Sequence, residues 1–161
     1  MHIQSILSAL FVLLVAPAAG AASWQATSRD GAEGTICGTR VFAEDDATLL
    51  AVEAGEGAYA VLLSNPAWRF DPSAAPVGVA VTVLSADAVA TPVPAAPLYG
   101  YETTLVFDGS PELLATLKQA HRIRFAPEAD GSLAPGISGP VEIDLTGSAA
   151  ALKAVAACAG Y

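Results

Sequence analysis

Valine alternates with small residues over positions 77–83, so that Val77, Val79, Val81 and Val83 fall on one side of an extended chain, and the period of two predicts a strand with one buried face. The same alternation recurs at 121–125 and 141–145. There Ile123 and Phe125 share a side, as do Val141, Ile143 and Leu145, while Arg122, Arg124, Glu142 and Asp144 take the other. Antiparallel pairing of these two strands would bury the apolar residues and set arginines opposite carboxylates, which favours one register over its slip. Further strands are expected at 24–28, where Trp24, Ala26 and Ser28 share a face, and at 35–42, with a turn through Asp30 and Gly31 between them. Segments 48–53 and 59–64 flank a Gly-rich turn and form a hairpin. Both arms are apolar at nearly every position, so the hairpin is expected to be covered on both faces. Positions 98–107 read as one strand with Tyr99, Tyr101, Thr103, Leu105 and Phe107 on one face. Pro92, Pro94 and Pro97 just before it exclude a central strand and predict an extended edge or semi-rigid connection.

Helical spacing enters late. Ser110 suits an N-cap, Pro111 the first helical position and Glu112 the positive end of the helix dipole, ahead of an apolar stripe of Leu113, Leu114 and Leu117. A terminal helix is expected after Thr146 or Ser148 as cap, with Leu152 and Val155 turned inward. Strands dominate and no βαβ alternation is present. The expected class is therefore mainly β or α+β, an antiparallel β-sandwich or open barrel with two helices near the C-terminus.

The apolar run 6–15 is too short to span a bilayer and is followed by small residues through Ala22, the pattern of a cleaved signal peptide. We therefore expect residues 1–22 to be the signal and 23–161 a single β-rich domain, placed in the periplasm or secreted, with no stable membrane insertion after cleavage. Export changes the reading of the two cysteines, because an oxidising compartment favours a disulfide, and one pair allows one connectivity, Cys37 to Cys158. A reactive thiol would want a neighbouring cysteine or a positively polarised site, and neither flank offers one.

The formal net charge is −9 with only seven Lys and Arg, which argues against nucleic acid and anionic lipid as partners. Glu44, Asp45 and Asp46 form the densest group of oxygen ligands, but without calcium-loop spacing they read as a solvated turn, and no metal or other cofactor is expected. His121 is the one histidine outside the signal. No Gly-x-Ser-x-Gly elbow accompanies it, so the expected protein is not an enzyme. A small hydrolase using His121 or a carboxylate pair is the alternative reading. Trp68, Arg69 and Phe70, in a proline-rich loop, carry the residue types that dominate binding hot spots and form the candidate binding loop. The same aromatics could instead fold back as a lid over the core. The expected partner is a protein or envelope component; a hydrolase inhibitor and a small-ligand carrier are further readings.

The layout resembles that of small exported bacterial proteins of the invasion-associated locus B type. The resemblance is carried by Trp24 soon after the cleavage site, by the helix 113–120 and by the closing segment 145–152 with Leu145, Gly147 and Leu152, and it covers most of the mature chain. It implies an envelope or host-interaction role and supplies no catalytic residue.

Overall fold

The structure is a computed structural model describing residues 22–31, 34–55, 57–71, 76–93, 97–128, 137 and 139–160. The expected signal segment, apart from Ala22, lies outside the described residues, as do Pro94 and the loop centred on Asp130 and Gly131.

Among the described residues, ten strands and two helices follow in the order β1 (Gln25–Gly31), β2 (Gly34–Phe42), β3 (Leu49–Gly55), β4 (Ala58–Ser64), β5 (Val79–Leu84), β6 (Ala90–Pro92), β7 (Tyr99–Tyr101), β8 (Thr104–Gly109), α1 (Pro111–Gln119), β9 (Arg122–Pro127), β10 (Val141–Asp144) and α2 (Ser148–Ala159). They form a six-stranded sheet ordered β1-β2-β3-β4-β8-β7 and a four-stranded sheet ordered β10-β9-β5-β6, antiparallel throughout and not closed into a barrel. One helix lies near the C-terminus; the other stands between β8 and β9 and carries the chain from the first sheet to the second.

The core lies between the sheets. Val41, Leu50, Val52, Val61, Leu63, Leu105 and Phe107 project from one, and Val79, Val81, Val83, Ile123, Phe125 and Ile143 from the other. Phe107 meets Phe125 edge-on at 6.2 Å between ring centroids, a favourable aromatic geometry. The register of β9 and β10 is the one the charge pattern favours, with Glu142 opposite Arg124 and Asp144 opposite Arg122. Glu142 takes both arginines at 3.6 Å. Asp144 is used differently: its Oδ1 accepts the Thr146 backbone N–H at 2.7 Å and shapes the entry to α2.

Both helices close the core. Ser110 caps α1 by accepting the Leu113 N–H at 3.1 Å, and Leu113, Leu114 and Leu117 are buried. The cap of α2 differs from expectation. Gly147, at φ 89, is the N-cap and makes no side-chain bond; its left-handed backbone favours glycine over Thr or Ser. Ser148 is instead buried inside the first turn, where Oγ donates to the Leu117 carbonyl at 2.8 Å. Cys158 of α2 is bonded to Cys37 of β2 across a separation of 121 residues. In the chain-entropy account such a loop stabilises the fold by about 4 to 5 kcal/mol.

Two expectations about β-strand faces are corrected. The run 98–107 is not one strand: it reverses at Glu102 and Thr103, with Glu102 at φ 52, so Tyr101 pairs with Thr104 and Tyr99 with Val106. A two-residue reversal puts Tyr99 and Tyr101 on the face of Val106, opposite the buried Leu105 and Phe107. The β3–β4 hairpin is likewise not covered on both sides. Leu50, Val52, Val61 and Leu63 are fully buried, while Leu49, Ala51, Ala60 and Leu62 on its other face are only half-buried.

Candidate functional site

The loop carrying Trp68, Arg69 and Phe70 does not present its aromatics to a partner. Trp68 and Phe70 are 3% and 8% exposed and belong to the core, meeting edge-on at 5.9 Å. Their apolar area is better buried than offered to water, and the alternative lid arrangement is the one adopted. Asn65 organises the turn: its carbonyl receives the Trp68 N–H at 3.0 Å, and its Oδ1 receives the Ala67 N–H at 2.8 Å. Arg69 is exposed, yet its guanidinium donates to the Pro66 and Trp68 carbonyls of its own loop. The expected binding loop is thus a structural plug.

The large exposed side chains lie elsewhere. Tyr99, Tyr101 and Phe42 are 51%, 58% and 39% exposed, and all three share the outer face of the six-stranded sheet. Strand register defines two rows there. Gln25, Arg40, Ala51, Leu62, Val106 and Tyr99 stand in line across all six strands. Beside them run Phe42, Leu49, Ser64, Thr104 and Tyr101. At the usual strand spacing the first row is about 24 Å long. Its polar members are largely satisfied within the face: Ser64 and Thr104 share a hydrogen bond at 2.7 Å, and Arg40 donates to Gln25 at 3.1 Å while its guanidinium lies 5.8 Å from the Phe42 ring centroid. Along these two rows the centre is largely apolar, with aromatics at both ends and Arg40 among them; farther along the same face stand Arg29 and Glu53, paired at 2.8 Å, and Asp108. Both helices pack on the other side of the sheet, through Leu117, Leu152 and the rest of the core.

His121 is exposed at the junction of α1 and β9, where its backbone bonds Leu84 and Leu145 and its imidazole makes no hydrogen bond among the described residues. Glu44, Asp45, Glu142 and Asp144 line one groove with Arg122, but three of the four acids hold structural partners there. Burial by itself would raise the Asp45 carboxyl. Hydrogen bonds from the Thr48 hydroxyl and from the backbone N–H groups of Thr48 and Ala47 outweigh it and hold the group below the ordinary carboxylate range. Glu112 is also lowered, by its own backbone N–H and by Ser110. Both shifts favour the ionised form, whereas a general acid needs the opposite. Among the described residues no three His, Cys, Asp or Glu side chains converge as a metal site would require, and no helix is long and apolar enough to cross a membrane.

Comparison with protein-family models, with curated proteins and with solved structures finds no match to this chain. Geometry alone therefore directs attention to the sheet face.

Proposed function

We propose that this is an exported, non-catalytic binding protein of the periplasm or the extracellular space, and that it docks a protein partner of the cell envelope on the outer face of its six-stranded sheet. The observation that carries this reading is the pair of adjacent rows, one from Arg40 through Leu62 and Val106 to Tyr99 and the other from Phe42 through Leu49 to Tyr101, with the aromatic side chains exposed. Tyr, Phe and Arg around an apolar centre are the residue types enriched in interface cores. A polysaccharide fits less well, because sugar hydroxyls call for several convergent polar side chains, and Arg40 with Gln25 and Ser64 with Thr104 are already bonded in pairs. The disulfide suits an oxidising compartment, and the resemblance to invasion-associated locus B proteins leads to the same expectation of an envelope role.

Photo-crosslinking amino acids placed at Tyr99, Leu62 and, as a control on another surface, Val89 test the reading in cells. Adducts of one mass at Tyr99 and Leu62 with none at Val89 are expected. The partner, once identified and purified, should bind the Tyr99→Ala/Tyr101→Ala protein at least about tenfold more weakly, a loss typical of hot-spot aromatics. Equal labelling at all three positions, or unaltered binding by the double variant, would overturn the proposal.

A further inference from the structure

Among the described residues, β1 is the one long open margin of the two sheets. The strands at the other three margins, β6, β7 and β10, have three, three and four residues, the short edges by which proteins discourage pairing with a further chain. β1 has seven residues, none of them proline or lysine, and among the described residues it pairs only with β2. Alternate backbone N–H and C=O groups along it therefore point away from the sheet. Its one arginine does not guard that edge, because Arg29 turns to the outer face and bonds Glu53.

Helix α2 runs beside this edge on the inner side of the sheet. Trp24 Nε1 donates to the Thr146 carbonyl at 3.1 Å where the helix begins, and Cys158 in its last turn is bonded to Cys37, the residue opposite Ser28. Strand and helix thus run the same way, and a groove of about 530 Å³ lies between them. Trp24, Ala26 and Ser28 line it from the strand, and Ala150, Ala154 and Cys158 from the helix. All of these but Trp24 are exposed. Strand alternation puts Asp30 on the same inner side as Ala26 and Ser28, past the Cys158 end of the groove. Its carboxylate has no hydrogen-bonding or ion-pair partner among the described residues.

We propose that an extended segment of another protein adds to β1 as a seventh strand of the larger sheet and fills this groove, a site separate from the outer face. Paired antiparallel, as every strand of the sheet is, its residues opposite Ser28 and Ala26 project beside α2, where apolar side chains meet Ala150 and Ala154. The residue opposite Asp30 shares that side, and a basic side chain there faces the opposite charge. The segment recognised therefore reads basic-x-apolar-x-apolar from N- to C-terminus. Main-chain bonds to the open edge supply affinity, and the alternate side chains supply choice. A second copy of this chain is the wrong occupant. Two copies pairing β1 antiparallel keep inner side with inner side, so Arg29, the only basic residue of the strand, stays on the outer face while Ser28 and Asp30 enter the groove.

The test uses the disulfide-bonded chain from Ser23 onward, titrated with a blocked heptapeptide that has lysine second, valine fourth and sixth and threonine elsewhere, and followed by amide nuclear magnetic resonance shifts. Saturable shifts are expected at Ala26, Ser28, Asp30, Ala150 and Ala154. Methylating alternate peptide nitrogens in one phase should abolish binding and in the other phase leave it, since only one set faces β1. Asp30→Asn should weaken the lysine peptide about threefold, the scale of one exposed ion pair, and leave a peptide with threonine in place of lysine unchanged. Ala154→Trp, a change at an exposed helix position that narrows the groove, should remove the shifts. Absence of saturable shifts at these amides, equal effects of the two methylation phases, full binding by Ala154→Trp, or no response to Asp30→Asn would each overturn the proposal. So would a dimer in sedimentation that Ala154→Trp converts to monomer, because a second copy would then be the occupant.

Discussion

Gly100 lies directly against Phe70: a Cβ built on Gly100 would come within 2.6 Å of Cγ and Cδ1 of the ring and 2.7 Å of its Cβ. The ring cannot withdraw easily, because the Phe70 N–H donates to the Glu102 carbonyl at 2.7 Å and fixes the backbone beside β7. This contact ties the plugging loop to the strand that displays the tyrosines. The side chain missing at Gly100 is the space that Phe70 fills, while Tyr99 and Tyr101 turn the other way.

Gly100→Ala is accordingly expected to destabilise the protein by about 1–3 kcal/mol, the usual cost of forcing extra volume into a packed site. Phe70→Leu in the same chain should recover part of that loss. Urea unfolding of the two single variants and the double variant gives the coupling energy; purely additive effects would show that Gly100 and Phe70 do not constrain each other.

Cys37 is 1% exposed whereas Cys158 lies on the exposed side of α2. Replacing both by alanine should cost about 2–5 kcal/mol, chiefly by releasing a loop that spans most of the domain. In the reduced but still folded protein an alkylating agent should modify Cys158 well before Cys37, as peptide mass mapping would reveal. Equal rates would place both thiols in the same environment and contradict the packing of β2 under α2.

Ser148 joins the two helices through one buried bond. The Leu117 carbonyl lies in the last turn of α1, where carbonyls lack helical partners, and Ser148 Oγ supplies the donor. Ser148→Ala should leave that oxygen unsatisfied in the interior and lower stability by about 1–3 kcal/mol. Calorimetric melting detects such a change; a shift near zero would mean that water replaces the hydroxyl.

Ser148 also marks the boundary of what could be read from the chain. A serine after Thr146 and Gly147 looks like a cap, and only the packing of α1 against α2 makes it an interhelical donor. The β9–β10 register, the Ser110 cap and the cysteine pairing were legible because each rests on local spacing or on a single available partner. Side-chain facing was harder. Nothing in Glu102 and Thr103 marks a turn, since no Gly, Asn or Pro is present, so the reversal that exposes Tyr99 and Tyr101 leaves no compositional trace. The apolar outer side of the β3–β4 hairpin looks like a buried surface for a similar reason. Period and composition report that a strand could be covered twice, and only the arrangement of both helices on one side reveals that it is not. Trp68 and Phe70 illustrate the same limit: their residue types suit a binding surface and a core equally, and burial decides.

The Asp45 carboxylate yields a pH signature. Its Oδ1 accepts the N–H groups of Ala47 at 3.0 Å and Thr48 at 2.7 Å, and its Oδ2 accepts the Thr48 hydroxyl at 2.6 Å. Thr48, 1% exposed, also receives the Asn65 side-chain N–H at 2.8 Å, so the β2–β3 turn is tied to the loop that plugs the core. These bonds depress the folded-state pKa below its unfolded value. The associated stability is therefore fully present above the ordinary carboxylate range, about pH 3.9 for Asp, and is lost as pH falls through the folded value. Because Asp45 is exposed and screened by solvent, the contribution is expected to be about 1 kcal/mol or less. Asp45→Asn should lower stability by that amount near neutral pH, and the gap to the parent protein should close as pH is lowered toward the folded pKa of Asp45. Urea midpoints for both proteins across the acid range measure the gap directly. A gap that stays constant on acidification would mean that the ionised state of Asp45 contributes nothing to holding this turn.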